Sequence, residues 1–89
     1  MMEEQINAYA LQLVPQTVSL APTEQQTIQC LVYQEQSDVT YKASSFKWYK
    51  NGVELPENED KTSLTVTWDD VNTTISVIAV VDEQYVVGE

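Results

Sequence analysis

The sequence predicts an all-β fold, an antiparallel sandwich or barrel, on three observations. Apolar and polar residues alternate along a succession of short stretches, as half-buried strands do. Turn residues separate those stretches, most clearly Asn51-Gly52, because both central positions of a type I′ hairpin turn need positive φ. Valine and threonine are abundant while glycine occurs only twice, a mix that suits pleated strands better than helices. At 89 residues with 43% apolar content, the chain fits one small domain. A chain of this size buries roughly two-thirds of its unfolded surface, enough for one modest core.

Residues 1–8 are polar and acidic and read as an N-terminal extension to a domain spanning 9–89. "INAYALQLV" admits two periods. Ile6, Tyr9, Ala10 and Leu13 fit a helical stripe, whereas Leu11 and Leu13 alternate with Gln12. Pro15 follows directly, which favours a strand over 9–14, with a short helix over 3–12 as the alternative. "QTVSLAP" alternates through Val18 and Leu20 and reads as an edge strand bounded by Pro22. "TIQCLVY" (27–33) sets Ile28, Cys30 and Val32 on one face, and a polar connection follows over 34–44. "SFKWY" (45–49) alternates Phe46 and Trp48 against Lys47 and Tyr49, then turns at Asn51-Gly52 into a short "VEL" return. Beyond a solvated loop at 56–63, "LTVTW" (64–68) puts Leu64, Val66 and Trp68 together. "DDVN" reads as a turn, "TTISVIAVV" (73–81) as a strand apolar on both faces, and "DEQ" turns the chain into a last strand at "YVVGE".

Charge narrows the function classes. Fourteen carboxylates face four lysines, for a net charge of −10. A nucleic-acid binder needs cations against phosphates, and an anionic membrane would repel this chain for the same reason. Histidine is absent, which removes the usual general base, Ser–His and Cys–His nucleophile pairs, and most zinc sites. The single cysteine, Cys30, has no internal disulfide partner. No apolar run is long enough to span a bilayer as a helix, and no basic-then-apolar leader opens the chain.

"TIQCLVY" followed by "FKWYKNGVEL" resembles an immunoglobulin-like domain, which places a cysteine on its second strand against a tryptophan on its third. Cys30 and Trp48 match those positions, and the resemblance implies an immunoglobulin-like antiparallel β-sandwich of about seven strands with Trp48 as the inter-sheet anchor. The sixth strand departs from the family. Thr73 and Ile75 stand where a corner tyrosine and the second cysteine are usual, so the inter-sheet disulfide is lost. Disulfide-free domains of this kind resemble modules of tailed-phage virion proteins and of bacterial surface proteins. Because 56–63 is short and the last strand stops at Glu89, either one strand of the usual set is missing or the last is cut short.

Each chemical constellation has a plainer structural explanation. Cys30 lies between apolar neighbours, unlike an activated thiolate. Glu57, Glu59 and Asp60, with Asp69 and Asp70, offer oxygens for calcium, but no glycine-spaced ligand loop accompanies them and solvated loop charge is favoured. Asp69 and Asp70 are adjacent turn residues, not carboxylates facing across a cleft. Asn72-Thr73-Thr74 forms a loose glycosylation sequon. Tyr33, Tyr41, Tyr49 and Tyr85 are candidates for a sugar-stacking platform.

No catalytic, metal or cofactor site is expected. The resemblance implies a structural or interaction module of a larger assembly, with a phage tail protein first and a carbohydrate-binding adhesion module as the alternative. The expected location is therefore the virion, or alternatively a bacterial cell surface, and the expected partner a neighbouring domain or subunit. In "TISVIAVV" the continuous apolar set Ile75, Val77, Ala79 and Val81 is assigned to the core, leaving Ser76, Ile78 and Val80 outward. The opposite register, with Ile78 buried, is the competing reading. With the sixth strand between the third and seventh, the candidate contact face is Lys47, Tyr49, Ile78, Val80 and Tyr85, with Ile78 and Val80 between the two tyrosines and Lys47 at the rim.

Overall fold

Alternation in "QQTIQCLVYQ" makes one long strand that buries Ile28, Cys30 and Val32, and this strand is the spine of the first sheet. The computed structural model describes residues 9–88. They form β1 (Tyr9–Val14), β2 (Gln25–Gln34), β3 (Ser37–Asp38), β4 (Ala43–Lys50), β5 (Val53–Glu54), β6 (Ser63–Thr67), β7 (Ile75–Val81) and β8 (Gln84–Gly88). Three single 3-10 turns punctuate them, at Thr40–Lys42, Pro56–Asn58 and Trp68–Asp70. The proposed 1–8 extension lies outside the described residues, as does most of the alternative helix over 3–12; the described part of "INAYALQLV" is strand.

Two four-stranded antiparallel sheets pack face to face. In the first, β2 pairs with β1 through its C-terminal half, with β6 through Gln25–Gln29, and with β3 at Tyr33 and Gln34. The second has the order β5-β4-β7-β8, so β7 lies between β4 and β8, as expected of the sixth strand. An all-β sandwich is therefore the fold, with eight strands; the two-residue β3 is one that the sequence reading did not name. At the seam between the sheets the backbones of β1 and β8 come close. A Cβ added to Gly88 would lie 2.9 Å from the Leu11 carbonyl oxygen, so only glycine fits there without a shift.

The core is a single apolar cluster between the sheets. Val32, Trp48, Val77, Ala79 and Val81 have no exposed surface, and Leu13, Ile28, Cys30, Phe46, Leu64, Val66 and Val86 pack around them. The register proposed for β7 holds: Val77, Ala79 and Val81 are buried while Ile78 and Val80 are only partly covered. The Asn51-Gly52 turn also forms as expected, with φ of 52° and 81°.

Three expectations are corrected. Residues 16–21 are not a strand; Pro15 has no N–H with which to continue the ladder, and Val18 and Leu20 instead fold against the core as part of a loop. Trp68 does not join Leu64 and Val66. β6 ends at Thr67, where Asp70 closes a capping box that bends the chain into a 3-10 turn and leaves Trp68 46% exposed. The 34–44 connection is more ordered than its polarity suggests, since it carries β3 and the buried Val39. There the Thr40 hydroxyl accepts from the Val32 amide at 2.9 Å and donates to Asp38 at 2.6 Å. The bond from the Thr40 hydroxyl first, and a second from the Thr40 amide at 2.9 Å, hold the Asp38 carboxyl below its ordinary pKa.

Candidate contact face and loop sites

β7 is central in the second sheet, and its period of two sends Ser76, Ile78 and Val80 to the outer face. Lys47, Tyr49, Ile78, Val80 and Tyr85 all lie on that face, but their arrangement differs from the expected one. Lys47 pairs with Ile78 from β4. Tyr49 pairs with Ser76 on one side and Glu54 on the other. Val80 lies between Ser45 and Tyr85, and Ile78 between Lys47 and Val87. The expected arrangement depended on the β4–β7 register, which runs regularly from the pair Ser45 and Val80 to the pair Lys50 and Ile75, with a bulge between Ala43 and Ser45.

Val87 was missed. It is 61% exposed, and Tyr85 beside it is 80% exposed, so β8 contributes as much to the face as β7 does. The alternation of "QYVVG" pointed to it, with Val86 inward and Val87 outward. Ile78, Val80, Tyr85 and Val87 thus form one apolar strip on β7 and β8, flanked by Lys47 and Ser45 on β4 and by Ser76. The four tyrosines do not gather. Tyr33 lies on β2 of the first sheet, Tyr41 is in the 3-10 turn before β4, and Tyr49 and Tyr85 are on strands separated by β7.

The loop carboxylates are occupied by structural work. Asp60 accepts from the Phe46 amide at 3.2 Å and its own amide donates to the Phe46 carbonyl at 2.8 Å, so it stands in for a strand partner on the β4 edge. Asp70 accepts from Lys50 Nζ at 2.8 Å through one oxygen and from the Thr67 amide at 2.9 Å through the other. The bond from Lys50 is the main reason the Asp70 carboxyl sits below its ordinary pKa; partial burial pulls the other way and is outweighed by that bond together with the Thr67 amide. Among the described residues no three carboxylate or thiol groups are placed to share a metal ion. Asn72 is exposed in the turn after Trp68–Asp70, with φ of 69°. Cys30 is 1% exposed, and burial pushes its thiol up to about 12, so it is not an activated nucleophile.

A cavity of about 410 Å³ opens at the end of the sandwich beneath the loop after β1. Leu13, Val18, Ile28 and Ile75 form its apolar part, and Thr17 and Thr73 also line it, the Thr73 hydroxyl donating to the Asp70 carbonyl. Asp70 also lines it, already bound to Lys50 and Thr67. The wall therefore offers shape and neutral hydrogen bonding but no paired acid and base. No family model matches the chain, and neither the curated proteins nor the solved structures contain a match to it.

Proposed function

We propose that the chain is a non-catalytic interaction module of a larger virion or surface assembly, a phage tail protein by first choice, and that it meets a neighbouring protein through the outer face of its second sheet. The observation that carries this reading is the strip of Ile78, Val80, Tyr85 and Val87, with the last two 80% and 61% exposed. A contiguous apolar patch rimmed by polar groups is the usual mark of a protein-binding surface, and tyrosine suits the centre of one. The virion setting rests on the resemblance of the cysteine and tryptophan strands alone. A carbohydrate-binding role draws less support, because the tyrosines are spread over both sheets.

The test combines Ile78→Lys and Val87→Lys with sedimentation over a concentration series and melting on the same samples. Lower self-association or weaker binding to adjoining parts of the parent protein, with melting unchanged for Val87→Lys, supports the face. Binding that survives both substitutions removes it. A glycan array on the same protein decides for or against the carbohydrate alternative.

A further inference from the structure

The sandwich has an open side. β6 pairs with β2, and among the described residues no strand pairs with its other edge. Between β5 and β6 the chain makes only the 3-10 turn at Pro56–Asn58, and residues 55–60 bond back to β4, through Leu55 to Trp48 and Asp60 to Phe46.

The ladder shows which backbone groups this leaves outward. The Cys30 amide donates to the Thr62 carbonyl, so in antiparallel alternation Leu64 and Val66 turn their amides and carbonyls toward β2. Ser63, Thr65 and Thr67 turn theirs away. Two of these outward groups are occupied: the Thr67 amide donates to Asp70, and the Ser63 carbonyl accepts from Asn58 Nδ2 at 3.4 Å. Thr65 is exposed, and among the described residues its amide and carbonyl have no partner; the Ser63 amide and the Thr67 carbonyl flank them. Groups spaced in this way are what an incoming extended backbone pairs with.

The surroundings select the partner. A groove of about 160 Å³ lies beside the edge, and its accessible wall is mainly polar, with Lys50, Glu57, Asn58, Thr65 and Asp70 among its lining residues. Residues 51–61 carry four carboxylates against one cation, Lys61, and Lys50 is engaged by Asp70. Asp69 and Glu57 both act on the Lys50 charge, which places them around the same corner. A second copy would bring the same carboxylates and a further charge of −10 against this edge.

We propose that the outer edge of β6 takes up an extended, lysine- or arginine-bearing segment of another protein as an added strand. This site is distinct from the outer face of the second sheet and does not depend on it. Backbone pairing at Thr65 supplies the hydrogen bonds, and flanking cations meet Glu57 and Asp69.

The probe is the capped peptide KVTVTVK, compared with EVTVTVE and with KVTVTVK N-methylated at alternate residues. Binding is read by amide NMR shifts and by hydrogen exchange of the Thr65 amide, at low and at moderate salt. The proposal expects shifts centred on Ser63–Thr67 and slower exchange at Thr65. It expects binding to be weaker by about tenfold or more for the glutamate and N-methylated peptides and at the higher salt. Thr65→Pro removes one outward amide at an edge position where proline is tolerated, and should weaken binding similarly. If that variant fails to fold, the N-methylated peptide alone decides. Absence of binding at millimolar peptide, equal binding of the N-methylated peptide, shifts confined to the second sheet, or self-pairing of the free chain through β6 would each overturn the proposal.

Discussion

The indole N–H of Trp48 donates a 2.7 Å hydrogen bond to the carbonyl oxygen of Lys61. Trp48 has no exposed surface, so the same side chain fills the core and holds the segment that crosses from the second sheet to the first. The Leu55 and Asp60 bonds to β4 run along the same path. Without a disulfide between the sheets, this crossing is held by packing and hydrogen bonds.

The two roles of Trp48 separate by substitution. Trp48→Ala removes ring and donor together and is expected to cost about 3–5 kcal/mol, a large part of the stability of so small a domain. Trp48→Phe keeps much of the packing but leaves the Lys61 carbonyl without its donor, at a cost of about 1–3 kcal/mol. Urea denaturation of both variants measures the difference, and a Trp48→Phe variant as stable as wild type would show that the hydrogen bond contributes nothing.

Cys30 is expected to resist a bulky thiol reagent in native buffer and to label once denaturant is added. Its thiol is pushed up to about 12 in the fold, against about 8.5 in an unfolded chain. A raised value gives stability that is complete below the unfolded pKa and is lost as pH rises toward the folded one. Cys30→Ala should therefore be less stable by a constant amount at neutral pH, with a shallower decline above about pH 8.5. Parallel wild-type and variant pH profiles of denaturation would disprove the burial argument.

Asp70 works in the opposite direction. Its depressed pKa gives stability that is present above the unfolded value, near 3.9, and is lost as pH falls through the folded value. Asp70→Asn is expected to melt lower at neutral pH, with the gap to wild type closing on acidification to about pH 3. Melting temperatures across that range provide the check. Relief of repulsion among ten net negative charges acts separately, favouring moderate salt and mildly acidic conditions.

The β7–β8 hairpin turns at Asp82 and Glu83, with φ of 51° and 63°, and contains no glycine. A non-glycine residue in this left-handed region costs roughly 1–2 kcal/mol, offset in part by the extra unfolded-state freedom of glycine. Glu83→Gly should thus stabilise the domain by about 0.5–1 kcal/mol. A lower melting temperature would show that Glu83 makes contacts that outweigh its backbone strain.

Much of this molecule was determined locally. Alternation along "TIQCLVY", "SFKWY" and "TISVIAVV" named the buried faces, because successive strand side chains must point to opposite sides and apolar ones gain by leaving water. Asn51-Gly52 named its hairpin because few other residue pairs accept two positive φ values cheaply. Asp82-Glu83 adopts the same geometry without that signature, since the pairing of β7 with β8 imposes it. Whether Trp68 continued β6 or left it depended on Asp70 capping Thr67. The neighbours of Ile78 were set by a register in which Lys47 and Val87 lie opposite it. The open edge of β6 follows from what fails to lie beside it in space, while its own five residues read like those of any paired strand. Strand faces are properties of neighbouring residues and can be read in order along the chain. Register, edges and the surfaces they create belong to pairs of distant segments, and only packing decides those.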